Sequence, residues 1–204
     1  MHISPEEFLQ HYGVKGMKWG VRKDRSGGKT SSNAQKIPKH GIIIKDKTSD
    51  LTVRMKNGDT LRLNGEPTPK FAKFLARHNR SIAENIRDSE YFQISDKSGK
   101  VVGETTWTRE SKDSLNVMWV GVNESARGKG YATATMKAAV KFAKQQGCNQ
   151  VTLEVPGNSP DARHIYTKLG FKVVKEATAK EIKNDPVWGG LTDMKLDLSK
   201  QKGG

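Results

Sequence analysis

"NESARGKGYATATMKAAVKFAKQQG", residues 123–147, decides how the rest of the chain is read. Its second half carries the pattern of a helix. Ala132, Met136, Ala139, Val140 and Ala143 form one apolar stripe, Lys137, Lys141 and Lys144 lie off it, and Gly147 ends the run. Its first half is a glycine-bearing turn that feeds that helix. Gly128 and Gly130 let the main chain take positive φ and approach a ligand closely. A helix start offers amides without intrahelical partners and about half a positive charge. Arg127 and Lys129 add to it, and a pyrophosphate fits such a cradle. The same residues also suit a turn that merely starts a helix, and Arg-Gly-Lys-Gly alone does not separate the two readings.

Outward from that stretch the signals alternate. Residues 91–95, 101–108 and 115–122 read as strands, with turns at Asp96–Gly99 and Glu110–Ser114. After the helix, "VTLEV" (151–155) alternates as a strand. "SPDARHIYTKLG" opens with Ser159 as N-cap and Pro160 at the first helical position, and closes at Gly170. "FKVV" and "LTDMKLDL" read as final strands. Upstream, "LTVRMKNGDTLRL" (51–63) alternates around Asn57–Gly58, the mark of a hairpin. Residues 68–88 read as helical, with Phe71, Phe74, Leu75, Ile82 and Ile86 near one face and a break near Asn79–Ser81. Strands followed by strand–helix–strand–helix–strand–strand predict an α/β (α+β) chain with a mixed central sheet and helices on its faces.

The chain has 204 residues, 34% of them hydrophobic, and a formal charge of +14. That balance favours acidic partners such as nucleic acid, an anionic cofactor or an acidic protein surface. Cys148 is the sole cysteine, which excludes a disulfide framework and a cysteine-based zinc site. No apolar run approaches the roughly 20 residues that span a bilayer, and "MHISPEEFLQHYGV" is too polar for a signal peptide. The sequence reads as soluble and intracellular in origin. Residues 1–40 hold eight Lys/Arg against three Asp/Glu, and "DRSGGKTSSNAQK" has the composition of a flexible linker. The expected divisions are a basic tag and linker over 1–40, a hairpin extension or diverged first strands over 41–66 that includes "GIIIKDKT", a main domain over 67–198 and a disordered end over 199–204. Ser4, Pro5 and Glu6–Glu7 read as the start of a short helix at 4–11.

Several motifs fall into one register. Arg127-Gly128-Lys129-Gly130-Tyr131-Ala132 follows a strand and opens a helix. A "TLEV" strand comes next, then Ala162 and Tyr166 in an Ala-x-x-x-Tyr spacing, then Leu169-Gly170-Phe171. Over about 90–198 this resembles the GNAT acetyltransferase superfamily. The resemblance implies a GNAT fold, an N-acetyltransferase activity and acetyl-CoA as cofactor. It implies that backbone amides of Arg127, Gly128, Lys129, Gly130, Tyr131 and Ala132 hold the pyrophosphate. The pantetheine arm would pair with the main chain near Val120–Val122, between two central parallel strands that splay apart. The acceptor amine would attack the thioester directly, a backbone N–H near Val122 would steady the oxyanion, and Tyr166 would protonate the departing thiolate. Glu104 and Glu124 are the candidates for general base by position. Asn158 and Ser159 stand where the family often has an asparagine. Either would bond the cofactor or cap the helix, and capping is the expectation for Ser159. Trp188, in "DPVWGGL", is the candidate for acceptor contact. Trp107 and Trp119 are expected in the core, and His164 on an exposed helix face. The acceptor is a small amine, a protein amine or a nucleobase. The other function class is an inactive GNAT-fold structural or interaction protein.

"HYGVKGMKWGVRK" (11–23) stands apart, with neither helical nor strand periodicity. It resembles a His-x-Gly-x-Lys-Gly-x-Lys-Trp-Gly-x-Arg motif of tailed-bacteriophage proteins. That resemblance implies a phage-encoded protein in the host bacterial cytoplasm, in the virion, or both. Tyr12, Met17 and Trp19 would anchor in a protein groove while Lys15, Lys18, Arg22 and Lys23 meet acidic rims. Alternatively Trp19 stacks on bases while the cations track phosphates.

Overall fold

The computed structural model describes residues 49–68, 70, 73, 77 and 80–199. The tag, the linker, the 41–48 run and residues 200–204 lie outside the described residues, as do Phe71, Phe74 and Leu75. The chain divides into two compact units, Met1–Asp46 with Thr68–Arg87, and Lys47–Pro67 with Asp88–Gly204. In the first, the described element is helix α1 (Arg80–Arg87), with Ala83 and Ile86 buried. It is the last part of the expected 68–88 helix.

The second unit is built on one eight-stranded sheet. Its strands are β1 (Leu51–Arg54), β2 (Thr60–Gly65), β3 (Ser89–Ser95), β4 (Val101–Ser111), β5 (Ser114–Val122), β6 (Gln150–Pro156), β7 (Lys172–Lys175) and β8 (Leu191–Asp197). Helices α2 (Tyr131–Gln145), α3 (Pro160–Lys168) and α4 (Ala179–Asn184) connect the later strands. The order across the sheet is β1-β2-β3-β4-β5-β6-β8-β7, and the β5–β6 pair is parallel while its neighbours are antiparallel. Two parallel strands need a long crossover, and α2 supplies it. β8 inserts between β6 and β7, an order that local sequence does not encode.

The turns follow their residue chemistry. Gly58, at φ 86°, closes the β1–β2 loop, where the Met55 amide donates to the Asp59 carbonyl (2.8 Å). Asp96 closes β3–β4 by accepting from the Ser98 and Lys100 amides. The β4–β5 turn is tighter than its sequence suggests, with Lys112 and Asp113 alone between the strands. Gly147 and Gly170 both take positive φ and end α2 and α3 with paired backbone bonds. Cys148 and Gly147 donate to Ala143 and Lys144, and Phe171 and Gly170 to Tyr166 and Thr167.

Trp107 anchors the core, fully buried between Phe92 (4.6 Å between ring centroids) and Phe142 of α2 (5.4 Å). Its indole N–H donates to Thr105 Oγ1 (2.9 Å), and that hydroxyl donates to the Trp119 carbonyl (2.6 Å). The buried stripe of α2 is Ala134, Thr135, Met136, Ala138, Ala139 and Ala143. It is broader than the expected stripe, and Ala132 and Val140 are only half-buried. Register places Leu115, Val117, Val151 and Leu196 on the face that Trp107 shares with α2. Gly170, just past α3, lies against Leu196, so α3 covers the same face.

Candidate functional site

The β5–β6 ladder is short. It runs from Ser114↔Gln150 to Val117↔Leu153 and stops, although both strands continue. The cause is visible in β5. Trp107 pairs with Val117, but Thr106 pairs with Trp119, so Met118 is an extra residue that bends β5. From Met118 to Val122 the strand is half-buried rather than buried, and a slot opens between β5 and β6. The Asn123 amide donates to the Val102 carbonyl (2.8 Å) on the β4 side. Alternation along the strand therefore turns the amides and carbonyls of Val122 and Val120 toward the slot.

β5 ends in the cradle. A single 3-10 turn (Glu124–Ala126) leads to Arg127, whose Nε donates to the Val122 carbonyl (3.4 Å) and ties loop to strand. Gly128 and Gly130 follow with φ of 76° and 82°. A Cβ at Gly128 would meet nothing within 4 Å, and one at Gly130 would touch only Met55 Cε at 3.8 Å. The first amide of α2 bonded back to the turn is that of Ala134, to the Gly130 carbonyl (3.0 Å). The amides of Tyr131, Ala132 and Thr133 are those that a helix start leaves without an intrahelical partner. Gly130 is the N-cap and has no side chain with which to cover them. Exposed Lys129 adds charge at the same place. These open glycines, the helix-start amides and the strand edge beside them, where Arg127 Nε meets the Val122 carbonyl, fit a phosphorylated, amide-bearing chain such as acetyl-CoA.

β6 ends differently. The Gly157 amide donates to Gly190 (3.0 Å) and the Asn158 amide to Trp188 (3.2 Å). Asn158 Nδ2 donates to the Val187 carbonyl at 2.6 Å. Asn158 therefore holds the 185–190 turn, the one that carries Trp188. Ser159 is at the N-cap of α3, but its hydroxyl makes no cap bond and turns to Asn158 Oδ1 (3.4 Å). The expectation that Ser159 caps by its side chain is corrected. Its φ of −117° and ψ of 63° depart from the extended conformation usual for a capping serine.

Tyr166 lies on α3 with its ring 6.0 Å from that of Phe171, and burial pushes its phenol up to about 12. It is fully protonated at neutral pH. Glu104 stands in register between Gln93 and Gly121. Thr105 and Trp107 share the α2 face, so Glu104 projects from the other one. Tyr166 and Glu104 thus lie on opposite faces of the sheet. Glu124 sits in the exposed 3-10 turn at the start of the cradle.

A model of the Acetyltransferase (GNAT) family matches residues 60–171, more than half of the chain. This chain belongs to the GNAT acetyltransferase family. A second model, a family of unknown function (DUF7211), matches residues 2–26. Among curated relatives, the mycothiol acetyltransferase of Saccharomonospora viridis is 33% identical over 94 residues, 42% of this chain and 30% of that protein. N-acetyltransferase 8B of Homo sapiens is 27% identical over 110 residues, 50% of this chain and 45% of that protein. The chain thus spans about a third to a half of the length of such relatives. Among solved structures, the spermidine N-acetyltransferase of Vibrio cholerae superposes with a TM-score of 0.51 at 19% identity, over 68% of this chain and 80% of that one. An IAA acetyltransferase of Bacillus cereus gives 0.50 at 20%, over 64% and 92%. Both share the GNAT fold, and the mixed sheet expected from the sequence is the one found.

Within this GNAT sheet, two features escaped the sequence reading. Trp119 is half-buried rather than a core residue. A Cβ at Gly121 would come within 2.8 Å of its Nε1, so the indole lies over Gly121 on the Glu104 face. Asn158 binds a carbonyl 29 residues away, and a backbone acceptor carries no sequence signature. The double glycine Gly189–Gly190 was the available hint. A Cβ at Gly157 would sit 2.3 Å from the Gly189 oxygen, so the strand end and the turn meet glycine to glycine. His164 is exposed, as expected. Among the described residues, no helix is long and apolar enough to cross a membrane. Tyr12, Lys15, Met17, Lys18, Trp19 and Arg22 lie outside the described residues.

Proposed function

We propose that this protein is an N-acetyltransferase that moves acetyl from acetyl-CoA to a primary amine. The observation that carries it is the early end of the β5–β6 ladder beside a glycine-opened helix start. Acetyl-CoA supplies an acetyl group already activated as a thioester. The amides from Gly128 to Ala132 hold its pyrophosphate, the expected Arg127 amide being already given to the Glu124 carbonyl (3.1 Å), and the helix dipole and Lys129 favour that charge. The Val120–Val122 edge pairs with the pantetheine amides, and the Val122 amide donates to the thioester oxygen as charge develops there. Glu104, beside Gly121 and the Trp119 indole, takes the amine's proton, directly or through water. Glu124 is the alternative base. The amine nitrogen bonds to the carbonyl carbon as the C–S bond breaks, and Tyr166 delivers its proton to the leaving sulfur. Having the two groups on opposite faces lets donor and acceptor meet in the slot. Calorimetric titration with acetyl-CoA tests the reading. Micromolar binding by the full chain, lost in Gly130→Val, supports it, whereas a folded chain that binds none is an inactive GNAT-fold interaction protein.

The 11–23 motif is proposed to recruit the enzyme to a protein partner, with a phage particle as its setting and nucleic acid as the competing ligand. Its support is separateness, since the two family matches, 2–26 and 60–171, do not overlap. Removal of residues 1–36 should leave acetyl-CoA binding intact. Loss of affinity on truncation would refute the separation.

A further inference from the structure

We infer that Asn158 is a positioning residue for the acceptor side. It fixes the 185–190 turn against the end of β6, the strand whose last residues line the slot. β6 runs past its last parallel partner, Leu153, to Pro156, so that stretch is one wall of the slot, and Gly157 and Asn158 continue it directly. The turn they hold is bonded in three places from this side, at the carbonyls of Val187, Trp188 and Gly190. It is braced internally as well. The Trp188 amide donates to Asp185 Oδ1 (3.1 Å) and the Gly189 amide to the Asp185 carbonyl (2.8 Å). Gly189 and Gly190 take φ of 67° and 74°, which L side chains rarely adopt. A Cβ at Gly190 would lie 2.7 Å from that of Ala177, so the turn is also pinned from the side of α4.

The Asn158 amide group is thus already committed, at 2.6 Å, to a backbone carbonyl. That bond and the Ser159 hydroxyl on Oδ1 (3.4 Å) set the orientation of the side chain against the turn. What the turn offers outward is apolar, with Val187 57% exposed and Trp188 half-buried. A surface of that kind, locked to the end of the strand that lines the slot, would meet the body of the acceptor while the slot meets its amine. This acceptor role rests on the acetyltransferase reading. The clamp itself does not.

The test uses the full chain with Asn158→Ala, the isosteric Asn158→Asp, which lacks the donor, and Asn158→Gln, which keeps one. Hydrogen exchange without ligand should quicken about tenfold over residues 185–190 in the Ala and Asp variants, the effect of losing one hydrogen bond, and less in the Gln variant. Calorimetry should give an acetyl-CoA Kd within about twofold of wild type for all three. With spermidine or phenethylamine as probe amine, whichever wild type acetylates faster, KM for the amine should rise about fivefold or more in Asn158→Asp, with the KM for acetyl-CoA unchanged. Unchanged exchange in the turn, or an acetyl-CoA Kd about tenfold weaker, would overturn the inference. An unchanged amine KM would overturn its acceptor half. If wild type binds no acetyl-CoA and acetylates neither amine, the acetyltransferase reading fails and exchange alone decides the clamp.

Discussion

β5 and β6 are parallel neighbours that end on the same edge of the sheet, and they end in opposite ways. β5 runs into a loop whose glycines face open space and whose helix-start amides have no intrahelical partner. β6 runs into a turn that takes up the Gly157 and Asn158 amides and the Asn158 side chain. Glycine serves both ends, for different reasons. At Gly128 and Gly130 it leaves room. At Gly157, Gly189 and Gly190 it lets two backbones touch. A buried or half-buried backbone group must find a partner. Where the chain supplies none, a ligand can, and binding capacity at a strand end lies in the groups the fold leaves unspent.

The comparison can be broken most sharply at the open end. Gly130→Val would force a branched side chain into a left-handed backbone conformation beside the cradle amides. Acetyl-CoA affinity should fall about 100-fold or more, with the far-ultraviolet dichroism unchanged. Next, Tyr166→Phe should lower kcat about 100-fold at an unchanged acetyl-CoA Kd, the usual contribution of a positioned acid. In the same variant, the absorbance of a phenol ionising near pH 12 should be missing. At the closed end, Gly157→Ala places a Cβ 2.3 Å from the Gly189 oxygen. It should cost about 1–3 kcal/mol of stability in a thermal melt, yet leave acetyl-CoA binding within about twofold.

The smallest effect belongs to the cap of α4, on the far side of the clamped turn. Glu181 accepts from Lys175 Nζ and from the Thr178 amide, and these bonds pull its carboxyl down to about 2. Its folded value lies below the ordinary glutamate value of 4.5. Its contribution is therefore present above about pH 4.5 and is lost as pH falls toward about 2. Exchange over 179–184 should quicken across that window, and Glu181→Gln should remove the pH dependence.

Much of this contrast is legible in the sequence. Asn57–Gly58, Gly147 and Gly170 mark turns because positive φ selects for glycine whatever the tertiary setting. The cradle was legible for the same reason, with Arg127 to Ala132 in a strand-to-helix register. Tyr166 and Glu104 could be placed on elements but not on opposite faces, because facing depends on pairing register. The slot was legible only through family resemblance. Its physical cause is the extra residue Met118 in β5, and nothing in "LNVMWVGV" marks which residue will bulge. The Asn158 side-chain bond is not legible in sequence. Its neighbours in sequence suggest a helix start, while its partner, the Val187 carbonyl, becomes a neighbour only once β8 has inserted beside β6.

The most direct test of the contrast is hydrogen exchange of the full chain with and without acetyl-CoA. Amides from Gly128 to Thr133 and at Val120 and Val122 should become protected on binding, while those of Gly157, Asn158, Trp188 and Gly190 should not change. Protection confined to the 185–190 turn, with the cradle amides exchanging as before, would contradict it.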